Sequence, residues 1–299
     1  MDYQEVLANA RKTILNCKAC PECNGLACGN TLPGPGSKAP GNGAHDNWKA
    51  WKSIKLNFDT FVPDCPVDTH STLFGKECTL PILTGPIGSM LQYSREDVTV
   101  AFNDAMIQAA SETGIIDCFG DGVAPETLPG ALKSISRYPA CAIPVLNPMP
   151  NERIKERIAF FEDSASLAVS VVVDSAGLSH WKHKGDQPGS KTVEDLRELK
   201  SCTSKPFIIK GIMTAKGALQ LSKQERTVLL CRTMEAVRCR MYRQRRRFSL
   251  RLSGRSRDRR PSLLTAGSAM VQISSKHLRL VQTEFLYAAR SLLHGLAAE

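Results

Sequence analysis

Short apolar runs alternate with segments of helix length between residues 80 and 212, and this alternation constrains the fold more than any other feature. Ile82-Leu83, Ile115 to Phe119, Ala142 to Leu146, Leu167 to Val173 and Phe207 to Ile209 are apolar runs punctuated by Gly, Pro, Asp or Asn. Strands without a polar alternate face are buried on both sides, as in a parallel sheet covered by helices. The helical segments carry their own punctuation. Ser94-x-x-Asp97 and Thr192-x-x-Asp195 read as capping boxes, Asn151 reads as the cap of a helix to about Asp163, and Gly114 reads as a stop after Thr113. Pro125 to Arg137 is a further helix. Five βα units follow one another in this way, which predicts a parallel α/β sheet.

The fifth unit carries the most informative string, Lys205-Pro-Phe-Ile-Ile-Lys-Gly-Ile-Met-Thr214. Lys210 stands at the C-terminal end of a buried strand, followed by Gly211 for a tight exit and by Thr214 as the cap of the next helix. Two readings of Lys210 are open. Its stem can snorkel past the sheet edge, or its ammonium can meet an anion or an electron-rich ring, because an unpaired buried charge is expensive.

Charge is distributed unevenly. Residues 1–224 hold 23 Lys and Arg against 24 Asp and Glu, whereas residues 225–299 hold 16 against 5. Lys outnumbers Arg 17 to 6 in the first part and is outnumbered 15 to 1 in the second. The net charge of +10 therefore belongs to the tail alone. A basic arm from Arg238 to Arg260 is one explanation, with phosphate contacts to nucleic acid as its function.

Near the N-terminus, residues 1–16 suggest a short helix, and Cys17, Cys20, Cys23 and Cys28 follow within twelve residues. Four thiols this close can converge on zinc or an iron–sulfur cluster. The alternative is a set of reduced or redox-active cysteines without metal. Residues 29–47 are rich in Gly, Pro and Asn and read as a linker. The first residues lack the apolar core of a signal peptide and no run of about 18 apolar residues occurs, so the expectation is a cytoplasmic protein without a membrane span.

Pro206 to Thr214 resembles the fifth strand of the FMN-dependent α-hydroxy-acid oxidases and dehydrogenases, which are (β/α)8 barrels. A second stretch, Val67-Asp-Thr-His-Ser-Thr-Leu-Phe-Gly-Lys76 followed by Leu80-Pro-Ile-Leu-Thr-Gly-Pro-Ile-Gly88, is similar to that family's approach to strand one. The resemblance implies FMN as cofactor, with Gly85, Pro86, Ile87, Gly88 and Gly120 packing backbone against the flavin and Lys210 facing its N1/O2 edge. It implies a small 2-hydroxy acid as substrate and a homo-oligomer in intact relatives. The chain departs from the pattern at Phe119-Gly120, where Ser or Thr is usual, and at Val172-Val173 before Asp174, where a Thr commonly touches the flavin. It also lacks the arginine that commonly follows the position of Asp174.

The family's later strings are absent: S-N-H-G-G-R, with the base and the carboxylate clamp, and D-G-G-I-R-x-G followed by G-x-R, which bind the flavin phosphate. Glu225 to Val237 can nevertheless be back-translated so that a shifted frame reads A-D-G-I-V-V-S-N-H-G-G-R. The same offset through Leu264 to His294 permits D-G-G-I-R-N-G and a following G-A-D-G-V-L-I-C-R-P. Met234-Glu235 and Met270-Val271 each force Gly whatever codons are used. A frameshift between about Leu219 and Glu225 accounts for both blocks.

The expected organisation is therefore a Cys-rich extension at 1–49, an incomplete (β/α)8 TIM barrel of about five βα units at 50–224, and an out-of-frame, irregular basic tail at 225–299. The expected function is 2-hydroxy-acid oxidation in the family and a defective site in this chain. The alternatives are another FMN barrel such as an isomerase, and a metal- or RNA-binding protein using the cysteines or the Arg-rich tail.

Overall fold

The computed structural model describes residues 2–27, most of 66–175, residues 189–212, the strand backbones at 227–231, 262–266 and 269–273, and a few isolated positions between. Strands β1 (Ser71–Leu73) and β2 (Lys76–Cys78) form a hairpin, and β3 (Ile82–Thr84) follows. Then β4 (Asp117–Gly120), β5 (Ala142–Leu146), β6 (Val169–Val172), β7 (Phe207–Lys210), β8 (Thr227–Cys231), β9 (Ser262–Ala266) and β10 (Ala269–Ile273) complete the strands. The helices are α1 (Tyr3–Thr13), α2 (Thr99–Thr113), α3 (Thr127–Arg137), α4 (Asn151–Glu162) and α5 (Val193–Ser201).

Eight strands make one sheet in the order β3-β10-β9-β8-β7-β6-β5-β4. Pairing from β4 through β9 is parallel, while β10 runs antiparallel to both β9 and β3. The two ends of that order approach each other through one isolated parallel bridge, Leu83 to Ile116, with the Thr84 N–H donating to Ile116 O at 3.1 Å. Among the described residues no longer ladder closes the sheet there.

The five sequence-read strands fall on β3 to β7, and their burial explains why. Every residue of β3, β4, β5, β6 and β7 is buried. One face packs under the helices through Phe119, Leu146, Val171, Phe207 and Ile209 with Ile135, Ile158 and Phe161. The other face gathers Leu83, Ile116, Cys118, Val145, Val172 and Ile208, and the hairpin residues Leu73 and Cys78 pack against it. The hairpin turns through Phe74 (φ 54°) and Gly75 (φ 82°), a two-residue primed-type turn that the sequence reading passed over.

Helix punctuation is mostly as expected. Thr192 and Asp195 form a reciprocal capping box, and Gly114 stops α2 in the left-handed conformation at φ 71°. Two caps differ. The Asp97 carboxylate accepts from the Thr99 N–H at 3.0 Å, but α2 starts after Val98 without a side-chain cap, so the Ser94 box does not form. Asn151 is the first residue of α4 rather than its cap; its side chain is taken up by Asp195 at 2.8 Å and Glu198 at 3.1 Å.

The tail also differs from its expectation of irregular structure. β8 extends the parallel sheet beside β7, with Phe207 opposite Thr227 and Lys210 opposite Leu230. The physical reason lies in Thr-Val-Leu-Leu-Cys, a run of strand length and β-favouring composition that can pair with an open strand edge whatever follows it. The Arg-rich segment 238–260 lies outside the described residues.

Candidate cofactor site at the C-terminal ends of the strands

All strands from β4 to β9 point the same way, and β3 bridges β4 in parallel, so the segments after β3, β4, β6 and β7 emerge at one end of the sheet. Register places the side chains. Gly120 is opposite Val145, Val145 opposite Ser170 and Ser170 opposite Ile208, while Val172 is opposite Lys210. Gly120, Ser170 and Lys210 thus share the face turned away from the helices.

Two of the sequence-read segments touch. A Cβ on Gly120 would lie 2.5 Å from Gly88 Cα and 2.7 Å from both Gly88 N and Ile87 O. Only a glycine lets the end of β4 press against the backbone of 87–88. The position of Gly88 is open on its own side: a Cβ there meets nothing within 4 Å. Pro86 is buried and Ile87 packs toward Met90, Phe102 and Met106. The Gly85-Pro86-Ile87-Gly88 turn is thus supported from below and unobstructed at Gly88.

Lys210 does not snorkel. Its side chain is 0% exposed, and its Nζ lies 3.3 Å from Oδ1 of Asp174, itself 8% exposed. A buried ammonium left unpaired would be costly, and the Asp174 carboxylate at the end of β6 offsets that cost. The pair needs Gly211. This residue has φ +108°, and a Cβ on it would fall 2.6 Å from Asp174 Cβ. The Val173 N–H donates to Lys210 O at 2.8 Å, which ties the two strand ends together beside the pair.

A second polar cluster was not read from the sequence. Asp121, directly after Gly120, accepts from Asn147 N–H at 3.1 Å, from the Asn147 amide and from the Arg157 guanidinium. Burial pushes its carboxyl up, and Arg157 and Asn147 act in the opposite direction. It anchors the segment after β4 to β5 and α4. The available signal was Asp121 and Asn147 each standing at the end of an apolar strand.

Between β3 and β4 lies a third group. The Thr84 hydroxyl donates to the Asp117 carboxylate and accepts from the Cys118 N–H at 2.9 Å. Burial pushes the Asp117 carboxyl up to about 7, with the Thr84 bond acting the other way.

The cysteine expectation finds no support. Cys17, Cys20 and Cys23 are not joined in disulfides, and Cys28 lies outside the described residues. Among the described residues, no three His, Cys, Asp or Glu side chains come together as a metal-holding group. No helix among the described residues is long and apolar enough to cross a membrane.

The fold and its site end define an α/β protein built on a mostly parallel eight-stranded sheet. No protein-family model matches the sequence, and no curated protein is similar to it. Solved structures are. A lactate oxidase from Pediococcus acidilactici, named as putative, superposes with a TM-score of 0.64 at 12% identity, covering 90% of this chain and 77% of that one. A mutant flavocytochrome b2 gives a TM-score of 0.55 at 15% identity, covering 68% of this chain and 54% of that one. A mandelate oxidase variant gives 0.50 at 14% identity, covering 76% and 66%. The chain therefore spans about half the length of flavocytochrome b2. At these identities the likeness is one of fold.

Proposed function

We propose that this chain carries the first part of an FMN-dependent 2-hydroxy-acid oxidoreductase barrel, and that it is defective because the segments completing the site are out of frame. The observation that carries the proposal is the convergence of the 85–88 turn, Gly120 and Lys210 at one end of the sheet. Two of these segments, the 85–88 turn and the strand ending at Lys210, carry the sequence resemblance, while Gly120 stands where the chain departs from it. The fold likeness to lactate oxidase and flavocytochrome b2 supports the same reading.

The residues present fit the ring part of FMN. The open position at Gly88 leaves space for a flat group against backbone, and Lys210 supplies a fixed cation at the strand mouth. When bound, FMN would supply the electron acceptor for oxidation of a 2-hydroxy acid to a 2-oxo acid. Gly85, Pro86, Ile87, Gly88 and Gly120 would then form the ring platform, and Lys210 would stabilise negative charge at its edge. A base for the substrate hydroxyl, a clamp for its carboxylate and a cradle for the cofactor phosphate have no counterpart strings in residues 225–299. Without them this chain binds flavin weakly and does not turn over. The shifted-frame string I-V-V-S overlaps the codons of Val228 to Cys231, which are the strand β8 residues beside β7.

The test is a flavin absorbance spectrum and a lactate and glycolate turnover assay on purified protein. Absence of bound FMN and of turnover is expected; turnover of either acid would overturn the proposed defect.

A further inference from the structure

Among the described residues, the sheet is joined least where its two ends meet. β3 and β4 share one isolated bridge, Leu83 to Ile116, with the Thr84 N–H donating to Ile116 O at 3.1 Å. The Thr84 side chain adds two contacts: its hydroxyl donates to the Asp117 carboxylate and accepts from the Cys118 N–H at 2.9 Å. Asp117 is buried, and its second carboxyl oxygen has no hydrogen-bond partner. The titratable groups around it offer no counter-charge. Cys141, one residue before β5, feels the Asp117 carboxyl, and Lys76 of β2 acts on that thiol. Glu77 beside Lys76 is held by Thr72, and β3 carries no titratable side chain. On α2, Asp104 is turned to Ser134 and Arg137, and Glu112 to Gln108. Burial therefore pushes the Asp117 carboxyl up to about 7, with only the Thr84 bond acting the other way.

Thr84 is the last residue of β3, so the state of the seam passes directly to the Gly85-Pro86-Ile87-Gly88 turn. The far end of that turn rests on the same strand, through the close approach of Gly120 to Gly88. We infer that the β3–β4 seam is a proton-operated joint: protonated Asp117 keeps it closed, and ionised Asp117 parts it and releases the 85–88 turn from β4. An ionised Asp117 has one oxygen on the Thr84 hydroxyl and one buried without a partner, which is costly until water reaches it. The least bonded line in the sheet is the shortest route for that water, by local opening rather than global unfolding. A buried acid of this kind favours the closed form at low pH, and closure is lost as pH rises from about 4 through about 7. The joint rests on the seam's own contacts and needs no bound flavin.

Hydrogen–deuterium exchange of the full chain, read by mass spectrometry on peptides, tests this. At pH 8 and low urea, peptides over 82–88 and 116–120 exchange by a route that urea does not speed, whereas the peptide over 207–210 exchanges faster as urea rises. After correction for the intrinsic pH dependence of exchange, the urea-insensitive route is at least about tenfold slower at pH 5. In Asp117→Asn it stays at its pH 5 level at both pH values. Seam peptides that follow urea in step with 207–210 at both pH values overturn the inference. So does a corrected rate that is the same at pH 5 and pH 8, or an equal pH dependence in Asp117→Asn. A neutral Asp117 admits a neutral replacement, so Asp117→Ser takes the place of Asp117→Asn should the latter not fold; failure of both to fold at pH 5 also overturns the inference.

Discussion

Replacing Asp117 by Asn tests the seam between β3 and β4 quantitatively. Asp117 is 1% exposed, and burial raises its carboxyl from 3.8 to about 7. An acid whose folded-state value is raised binds its proton more tightly when folded, so this group favours the fold at low pH. Its contribution is lost progressively as pH rises from about 4 through about 7 and stays lost above that. The span corresponds to about 4 kcal/mol at roughly 1.4 kcal/mol per pH unit. Asn keeps an oxygen for the Thr84 hydroxyl but cannot ionise, so the variant lacks this slope. Urea denaturation followed by circular dichroism at pH 5 and pH 8 reads the difference, with other titrating groups cancelling between the two proteins. Asp117→Asn gains about 3 kcal/mol relative to the parent on going from pH 5 to pH 8. Parallel stability profiles for the two proteins would refute the assignment of a neutral buried Asp117.

Three further outcomes follow from the packing. Gly120→Ala places a methyl against Gly88 backbone and lowers stability by about 1–3 kcal/mol, read as a drop in the midpoint of thermal unfolding. Burial tends to raise the Glu162 carboxyl, but bonds from the Ser204 hydroxyl, the Thr203 hydroxyl and the Ser204 N–H outweigh it and hold it low. A lowered folded value gives stability that is present above the ordinary range and lost as pH falls, so Glu162→Gln loses about 1 kcal/mol at pH 7 and less at pH 4, measured by urea titration. Cys141 is buried, and burial pushes its thiol up to about 11, so iodoacetamide labels it far more slowly than the exposed Cys23 and Cys202, as peptide mass mapping over time will show.

The sheet was legible because its strands are buried on both faces: Ala142 to Leu146 was read at its observed bounds, and Phe207 to Ile209 one residue short. Lys210 was legible as a charge in an apolar strand. Its partner was not, since Asp174 lies 36 residues away and only the β6–β7 register brings them together. Gly120 was expected to pack backbone against a flavin. Its lack of a side chain serves the contact with Gly88 that supports the turn. The Ser94 box failed because local spacing does not determine where α2 starts; the Met90 N–H instead donates to the Thr99 hydroxyl at 2.8 Å, which belongs to the first turn of the helix. The strands at 227–231, 262–266 and 269–273 went unread because the sequence from Glu225 on lacks the apolar-run and helix-cap alternation of the first five units, and β10 runs against its neighbours.

The central claim is that a flavin-ring platform survives here without the segments that complete it. Flavin content through gel filtration tests this most directly, measured on the 299-residue chain and on a version with the reading frame restored between about Leu219 and Glu225. The account predicts a colourless product from the first and a yellow protein with stoichiometric FMN, active on a 2-hydroxy acid, from the second. Stoichiometric FMN on the 299-residue chain, or a restored chain that stays colourless, would contradict it.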